Sequence, residues 1–94
     1  MDTLTNIWTD YDEDADILYV RLRPDVQDAR TEEAEHGVLI DCDPATGEVV
    51  GIEILDFLGH FAVLADLSWL PPLGVPSETI PLLRQKANEL QQAA

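Results

Sequence analysis

GVLIDCDPATGEVVGIEIL, which spans residues 37–55, has the pattern of a β-hairpin. Its apolar residues alternate with polar ones on both sides of a short turn, as expected for two antiparallel strands with one buried face. Between the strands, Asp43 opens a type I turn, Pro44 presets its backbone and Gly47 supplies the left-handed residue of a bulge. The residues predicted to point inward are Val38, Ile40, Cys42, Val50, Ile52 and Ile54.

The clearest strand upstream of this hairpin covers residues 17–23. Pro24 ends it, because proline has no N–H to donate into a β-ladder. Five acidic side chains in residues 10–16 predict a turn before this strand, and residues 4–9 predict a first strand. The inward face of the strand over 17–23 consists of Leu18, Val20 and Leu22.

Residues 26–35 (VQDARTEEAE) are ambiguous. They carry no apolar stripe at helical spacing, which favours a short exposed strand. The helix propensity of the EEAE run at 32–35 leaves a helix as the alternative.

Two helices are predicted after the sheet. The first is predicted because apolar residues recur at spacings of three and four over residues 57–67, and Asp56 is placed to cap it. A proline-rich connection at 69–76 separates it from a last helix that begins at Ser77 or Thr79. The apolar stripe of this last helix is Ile80, Leu83, Ala87 and Leu90.

These elements predict a single α+β domain over residues 1–94. It is an antiparallel β-meander of four or five strands with one face covered by C-terminal helices. Residues 10–55 form the β-rich core and residues 56–94 the helical extension. A chain of this size buries roughly 60% of its unfolded surface, which allows a modest core without disulfides.

The net charge of the chain is −14, and its pI is about 4.1. Residues 1–56 carry sixteen acidic and three basic side chains, so the β-rich part holds nearly all of the excess negative charge. Such a surface repels phosphate backbones and anionic lipids, which excludes nucleic-acid binding through a basic face. Two explanations of the acidity stay open: an electropositive protein partner, or adaptation to a salt-rich cytosol.

The sequence predicts a cytoplasmic protein with no membrane-spanning segment. The most apolar long segment, residues 54–73, contains two aspartates and two prolines and is a poor span. The N-terminal residues lack the basic and apolar regions of a signal peptide. Cys42 is the only cysteine, so no intrachain disulfide forms, as is usual in a reducing compartment.

Three motifs resemble an uncharacterised prokaryotic family, domain of unknown function 2283. They are YDEDADILYVRL at 11–22, GVLIDCD at 37–43 and GEVVGIEIL at 47–55, in the order found in that family. The resemblance covers residues 10–55 and implies a small β-meander. Because members of the family often lie beside small toxin-like proteins in bacterial genomes, it also implies an antitoxin-like or accessory role. It supplies no catalytic residues.

The candidate chemistries in the chain are weak. Asp10, Asp12, Asp14 and Asp16 alternate as in a calcium loop, but the glycine and the bidentate glutamate that an EF-hand needs are missing. His36, His60 and Cys42 have no zinc-ligand spacing. We therefore predict no catalytic, cofactor-binding or metal-binding residues. The enzymatic or metal-binding alternative uses the carboxylates of Asp41, Asp43 and Glu53.

The favoured hypothesis is a non-enzymatic protein-interaction module that acts on a basic partner and forms a homodimer. A second alternative is a purely structural homo-oligomer. Trp69, beside two prolines, is predicted to be the more exposed of the two tryptophans. The predicted interaction residues are Asp12, Glu13, Asp14, Glu32, Glu33, Trp69, Leu83 and Leu90.

Overall fold

The structure is a computed structural model that describes residues 7–23, 25–64 and 66–93. It contains a five-stranded antiparallel sheet with the spatial order β1-β2-β5-β4-β3. The strands are followed by two short 3₁₀ turns, at Phe61–Val63 and Pro71–Leu73, and by one long helix, α1, at Thr79–Ala93. The strands are β1 Trp8–Asp12, β2 Ile17–Arg21, β3 Arg30–Glu33, β4 Val38–Cys42 and β5 Val49–Ile54.

The predicted α+β class is confirmed, but the strand order differs from a simple meander. β3, β4 and β5 follow one another as a meander, whereas β5 then pairs with β2, which gives the four strands a Greek-key order. Apolar content accounts for this order. β2 and β5 are rich in buried residues and lie inside the sheet, whereas all four residues of β3 are exposed and suit an edge.

One face of the sheet forms the hydrophobic core. Of the nine strand residues that the period-two pattern predicted to point inward, seven belong to this core, and apolar side chains from the C-terminal part of the chain close over them. Cys42 is only partly buried against the core and Val50 is buried outside it, where the register of β4 and β5 shifts. The sheet contributes Leu18, Val20, Leu22, Val38, Ile40, Ile52 and Ile54, and the covering layer contributes Phe57, Phe61, Leu67, Leu70, Val75, Leu83 and Ala87.

The DPATG hairpin is confirmed. The Gly47 N–H donates to the carbonyl of Asp43 at 2.7 Å, and the Ala45 N–H donates to Oδ1 of Asp43 at 2.9 Å. Gly47 has a φ of 78°, the left-handed conformation that the turn requires. The register between β4 and β5 shifts between Asp41 and Cys42. Residues 38–54 thus form the predicted antiparallel pair.

The first strand, β1, extends past Thr9, where the sequence predicted its end. The predicted strand at 4–9 lies mostly outside the described residues, and the predicted turn at 10–16 is wrong over its first half. Asp10 pairs with Tyr19 and Asp12 with Ile17, so both aspartates belong to β1. The exposed position of β1 at the sheet edge lets these charged residues point into solvent.

The ambiguous segment at 26–35 contains the short strand β3, so the strand alternative is the correct one. Its four residues pair with β4, from Arg30 opposite Cys42 to Glu33 opposite Leu39.

The predicted helix over 57–67 is wrong. Asp56 has a φ of 49°, a left-handed conformation that is incompatible with capping a helix. The N–H groups of Leu58 and Gly59 donate instead to the two carboxylate oxygens of Asp16, at 2.9 and 3.1 Å. Only one 3₁₀ turn follows, and the chain becomes extended at Leu64. Phe57, Phe61 and Leu67 of the predicted apolar stripe are nevertheless buried.

The last predicted helix is confirmed as α1, which begins at Thr79. Leu83 and Ala87 point into the core from it. Among the described residues, no helix has the length and apolar character needed to cross a membrane.

Candidate functional site

The sheet face opposite the core, here called the open face, carries the polar side chains of the strands. The strand registers align these side chains in rows that cross the whole sheet. One row consists of Trp8, Arg21, Gly51, Asp41 and Thr31. The next consists of Asp10, Tyr19, Glu53, Leu39 and Glu33.

Gly51 lets the Asp41 side chain lie close to the backbone at the centre of the open face. A Cβ atom at this position would lie 3.0 Å from the carbonyl oxygen of Val20 and 3.1 Å from Oδ2 of Asp41. The absence of a side chain therefore allows this close approach. A recess of about 330 Å³ on the same face is lined by Trp8, Asp10, Tyr19, Arg21, Asp41, Ile52 and Glu53.

Asp41 and Glu53 form a carboxyl pair in this recess. Burial, a hydrogen bond that the protonated Glu53 carboxyl donates to the side chain of Asp41, and the negative charge of Asp41 raise the pKa of Glu53, while the charge of Arg21 opposes the rise. Thr31 Oγ1 donates a hydrogen bond of 2.7 Å to Oδ1 of Asp41 and fixes its orientation. The pair is therefore suited to hold one proton between two carboxyl groups.

Arg21 is the only cationic residue in the two rows. Its Nη2 donates to the carbonyl oxygen of Val26 at 3.2 Å, which anchors the guanidinium to the β2–β3 connection. Trp8 follows at the outer end of the same row and is 51% exposed. The open face thus combines carboxylates, one anchored guanidinium and an exposed aromatic ring.

Residues 8–57 match the family described as Protein of unknown function (DUF2283), and this match covers more than half of the chain. The chain belongs to the DUF2283 family. Neither the comparison with curated proteins nor the comparison with solved structures found a match.

The DUF2283 match contains the whole sheet and every residue of the open face. It ends at Phe57, before the 3₁₀ turns and α1. The candidate site therefore belongs to the family core, whereas the covering layer is largely supplied by the extension.

The predicted carboxylate trio is only partly assembled within the DUF2283 core. Asp41 and Glu53 meet on the open face, whereas Asp43 lies in the hairpin turn and accepts the N–H of Ala45. The same-face alternation of β4 and β5 brings Asp41 and Glu53 together. Among the described residues, no three His, Cys, Asp or Glu side chains are grouped to hold a metal ion.

The predicted acidic interaction residues lie in two separate places. Asp12, Glu13 and Asp14 are exposed at the end of β1 and in the following turn, where Oδ1 of Asp12 accepts the N–H groups of Asp14 and Ala15. Glu32 and Glu33 are exposed at the opposite edge of the sheet, on β3.

The apolar interaction residues of the prediction need correction. Leu83 is 1% exposed because it packs into the core, so it presents no surface to a partner. Leu90 and Trp69 are partly buried against the same core. Trp8, and not Trp69 as predicted, is the more exposed tryptophan.

An aromatic cluster in the DUF2283 chain was missed from the sequence. The rings of His36 and His60 lie 6.3 Å apart between centroids, and Trp69 lies 4.7 Å from His36. Trp69 also packs edge-on against Phe61. These residues are distant in sequence, so no local sequence pattern predicts their contact.

Proposed function

We propose that this protein is a non-enzymatic interaction module that binds a basic segment of a partner protein on its open face. The observation that carries the proposal is the recess on the open face, which is lined by carboxylates and by an exposed tryptophan. An antitoxin-like or accessory role, with a small basic protein as partner, is the biological setting that fits this activity.

Charge is the first support for the proposal. The carboxylates of the open face are Asp10, Asp12, Glu33, Asp41 and Glu53, and Arg21 is the one cation among the strand residues of that face. The chain as a whole carries a net charge of −14. Such a field accelerates encounter with a cationic partner and discriminates against anionic ones.

The chemistry of the recess is the second support. Arginine and lysine side chains bind the faces of aromatic rings as well as carboxylates. Trp8 and Tyr19 supply rings, and Asp10, Asp41 and Glu53 supply carboxyl groups around the same volume. A cationic side chain of the partner is therefore the group that best complements the recess.

A labelled arginine-rich peptide tests the proposal by fluorescence anisotropy. We expect the triple variant Asp10→Asn/Asp41→Asn/Glu53→Gln to bind this probe at least about tenfold more weakly than the wild type, because single charge contacts contribute roughly 0.5–1.5 kcal/mol each. The fold of each variant is checked by circular dichroism.

The matched control removes the same charge elsewhere, in Glu13→Gln/Asp14→Asn/Glu78→Gln, where all three side chains are exposed. The control should keep the wild-type affinity. Equal losses in the two triple variants would mean that the net charge, and not the open face, attracts the peptide, and this would contradict the proposal.

Acid–base catalysis by Asp41 and Glu53 is a second candidate function. Its support is the raised pKa of Glu53 beside a second carboxyl group, a combination that divides acid and base roles in many hydrolases. Turnover of chromogenic ester, phosphate or glycoside substrates that disappears in Glu53→Gln would establish it. Absence of turnover in the wild type would leave binding as the function of the pair.

A further inference from the structure

The outer edge of β3 presents unpaired backbone groups. The Ala34 N–H donates to the carbonyl of Val38, and the alternation of an antiparallel ladder then directs the backbone groups of Glu32 and Arg30 toward β4. The hydrogen bond from the Leu55 N–H to the Gly37 carbonyl sets the same alternation between β4 and β5. It follows that Thr31 and Glu33 direct their N–H and C=O groups away from the sheet.

We propose that β3 pairs with β3 of a second copy of this chain, antiparallel, about a two-fold axis that passes beside Thr31. The two sheets then become one continuous sheet of ten strands. Thr31 faces the partner's Thr31 as a hydrogen-bonded pair, since both direct their backbone groups outward. A strand of only four residues forms a small interface, so the dimer is concentration-dependent.

Charge complementarity selects this register. A two-fold axis perpendicular to the sheet keeps residues of the same face opposite one another, so Arg30 lies opposite the partner's Glu32, and the reverse pair forms on the other side. Opposite charges directly across two strands stabilise the pairing, and like charges destabilise it. The register about Thr31 therefore contains two favourable ion pairs.

The neighbouring registers place like charges together. An axis beside Glu32 sets Glu32 against the partner's Glu32, and an axis beside Glu33 or Arg30 does the same for those residues. Each of these arrangements opposes two identical charges at the centre of the interface. Of the four axis positions within β3, only the one beside Thr31 avoids this conflict.

The other sheet edge does not offer the same complementarity. In β1, an axis beside Asp10 opposes two aspartates, and an axis beside Tyr11 sets Asp10 against the partner's Asp12. Pairing β1 of one copy with β3 of the next is a head-to-tail contact, which produces open filaments. Self-pairing of β3 closes the assembly at two copies and places both open faces on the same side of the joined sheet.

Charge reversal tests the proposal. By light scattering and sedimentation velocity over a range of concentrations, the wild type should dimerise. Arg30→Glu and Glu32→Arg should each weaken association about tenfold, because attraction becomes repulsion at two pairs. The double variant Arg30→Glu/Glu32→Arg restores opposite charges and should recover the dimer. Both changed positions are exposed, so folding is not at risk.

A backbone variant gives an independent measurement. Thr31→Pro removes the outward N–H without breaking the ladder to β4, and it should yield a monomer. Thr31→Val, which lacks the hydroxyl but keeps the N–H, is its control and should remain dimeric. A wild type that is monomeric at all concentrations, a double variant that fails to recover, or growth beyond the dimer would each overturn the proposal.

Discussion

The phenol of Tyr11 donates a hydrogen bond of 2.7 Å to Oδ1 of Asp16. The same carboxylate accepts the N–H groups of Leu58 and Gly59, and the carbonyl of Asp16 accepts the N–H of Phe57. One aspartate in the β1–β2 turn therefore fixes the segment that follows β5. This contact joins the YDEDAD motif to the end of the DUF2283 match, so the turn and the segment stabilise each other.

Replacement of Asp16 by asparagine should destabilise the fold. Asparagine tolerates the left-handed conformation of this residue, whose φ is 56°, so the change removes mainly the charged acceptor. Hydrogen bonds to charged groups are worth roughly 1.5–3 kcal/mol, and we expect a loss of about 2 kcal/mol in the free energy of unfolding. Urea denaturation at pH 7 measures this free energy of unfolding. Asp14→Asn, at an exposed position of the same turn, should change stability by less than about 0.5 kcal/mol.

The pH dependence of stability should report the same carboxylate. Burial alone would raise the pKa of Asp16, but the hydrogen bonds from Leu58, Tyr11 and Gly59 outweigh it and lower the pKa below its ordinary value of 3.8. A lowered pKa in the folded state stabilises the protein above the unfolded pKa, and this contribution is lost as pH falls through the folded value. Between about pH 5 and about pH 3, the wild type should lose more stability than Asp16→Asn. Parallel pH profiles would contradict the assignment.

Glu53 should contribute a pH dependence of stability with the opposite sign to that of Asp16. Its pKa is raised above the ordinary value of 4.5, first by burial and then by Asp41, so the folded state holds the proton more tightly than the unfolded chain. The resulting stabilisation is present below the unfolded pKa and is lost as pH rises through the folded one. Glu53→Gln mimics the protonated form, and its free energy of unfolding should exceed that of the wild type at pH 7.

At about pH 4 the two proteins should agree to within about 0.5 kcal/mol, which chemical denaturation at both pH values determines. Glu33→Gln, at an exposed position of the same face, serves as the control and should change neither value. A Glu53→Gln variant that is less stable than the wild type at pH 7 would show that the ionised pair stabilises the fold.

Strand identity could be predicted because it depends on local alternation. Leu18 and Val20 mark β2, and Ile52 and Ile54 mark β5, without any knowledge of their partners. Strand order could not be predicted, since the pairing of β2 with β5 joins residues thirty or more positions apart. The false helix at 57–67 has the same origin: Asp16, more than forty positions away, holds the start of this segment through the N–H groups of Leu58 and Gly59, a contact that helical periodicity does not reveal.

The candidate site could likewise be predicted only in the part that depends on local alternation. That Asp41 and Glu53 lie on one face was evident from the two alternating strands, and their pairing confirms that part. The positions of Trp8 and Arg21 in the row depend on the register of β1 against β2 and of β2 against β5. Register is a property of the assembled sheet, so the recess on the open face appears only in the three-dimensional arrangement.

Two threonines in different surroundings should respond oppositely to loss of their hydroxyl group. Thr79 is fully buried, and its Oγ1 has no hydrogen-bond partner in the described part of the chain. A buried hydroxyl without a partner carries a desolvation cost of roughly 1–3 kcal/mol, which Thr79→Val removes while it keeps the β-branched shape. We expect this variant to gain about 1 kcal/mol, or roughly 4–8 °C in Tm for a domain of this size.

Thr31 donates its hydroxyl to Asp41 at 2.7 Å, so Thr31→Val should instead lose about 0.5–1 kcal/mol. Thermal unfolding followed by circular dichroism compares the two variants with the wild type at one protein concentration. A fall in Tm for Thr79→Val would show that its hydroxyl is hydrogen-bonded in solution, because only the loss of a partner makes removal of a buried hydroxyl costly.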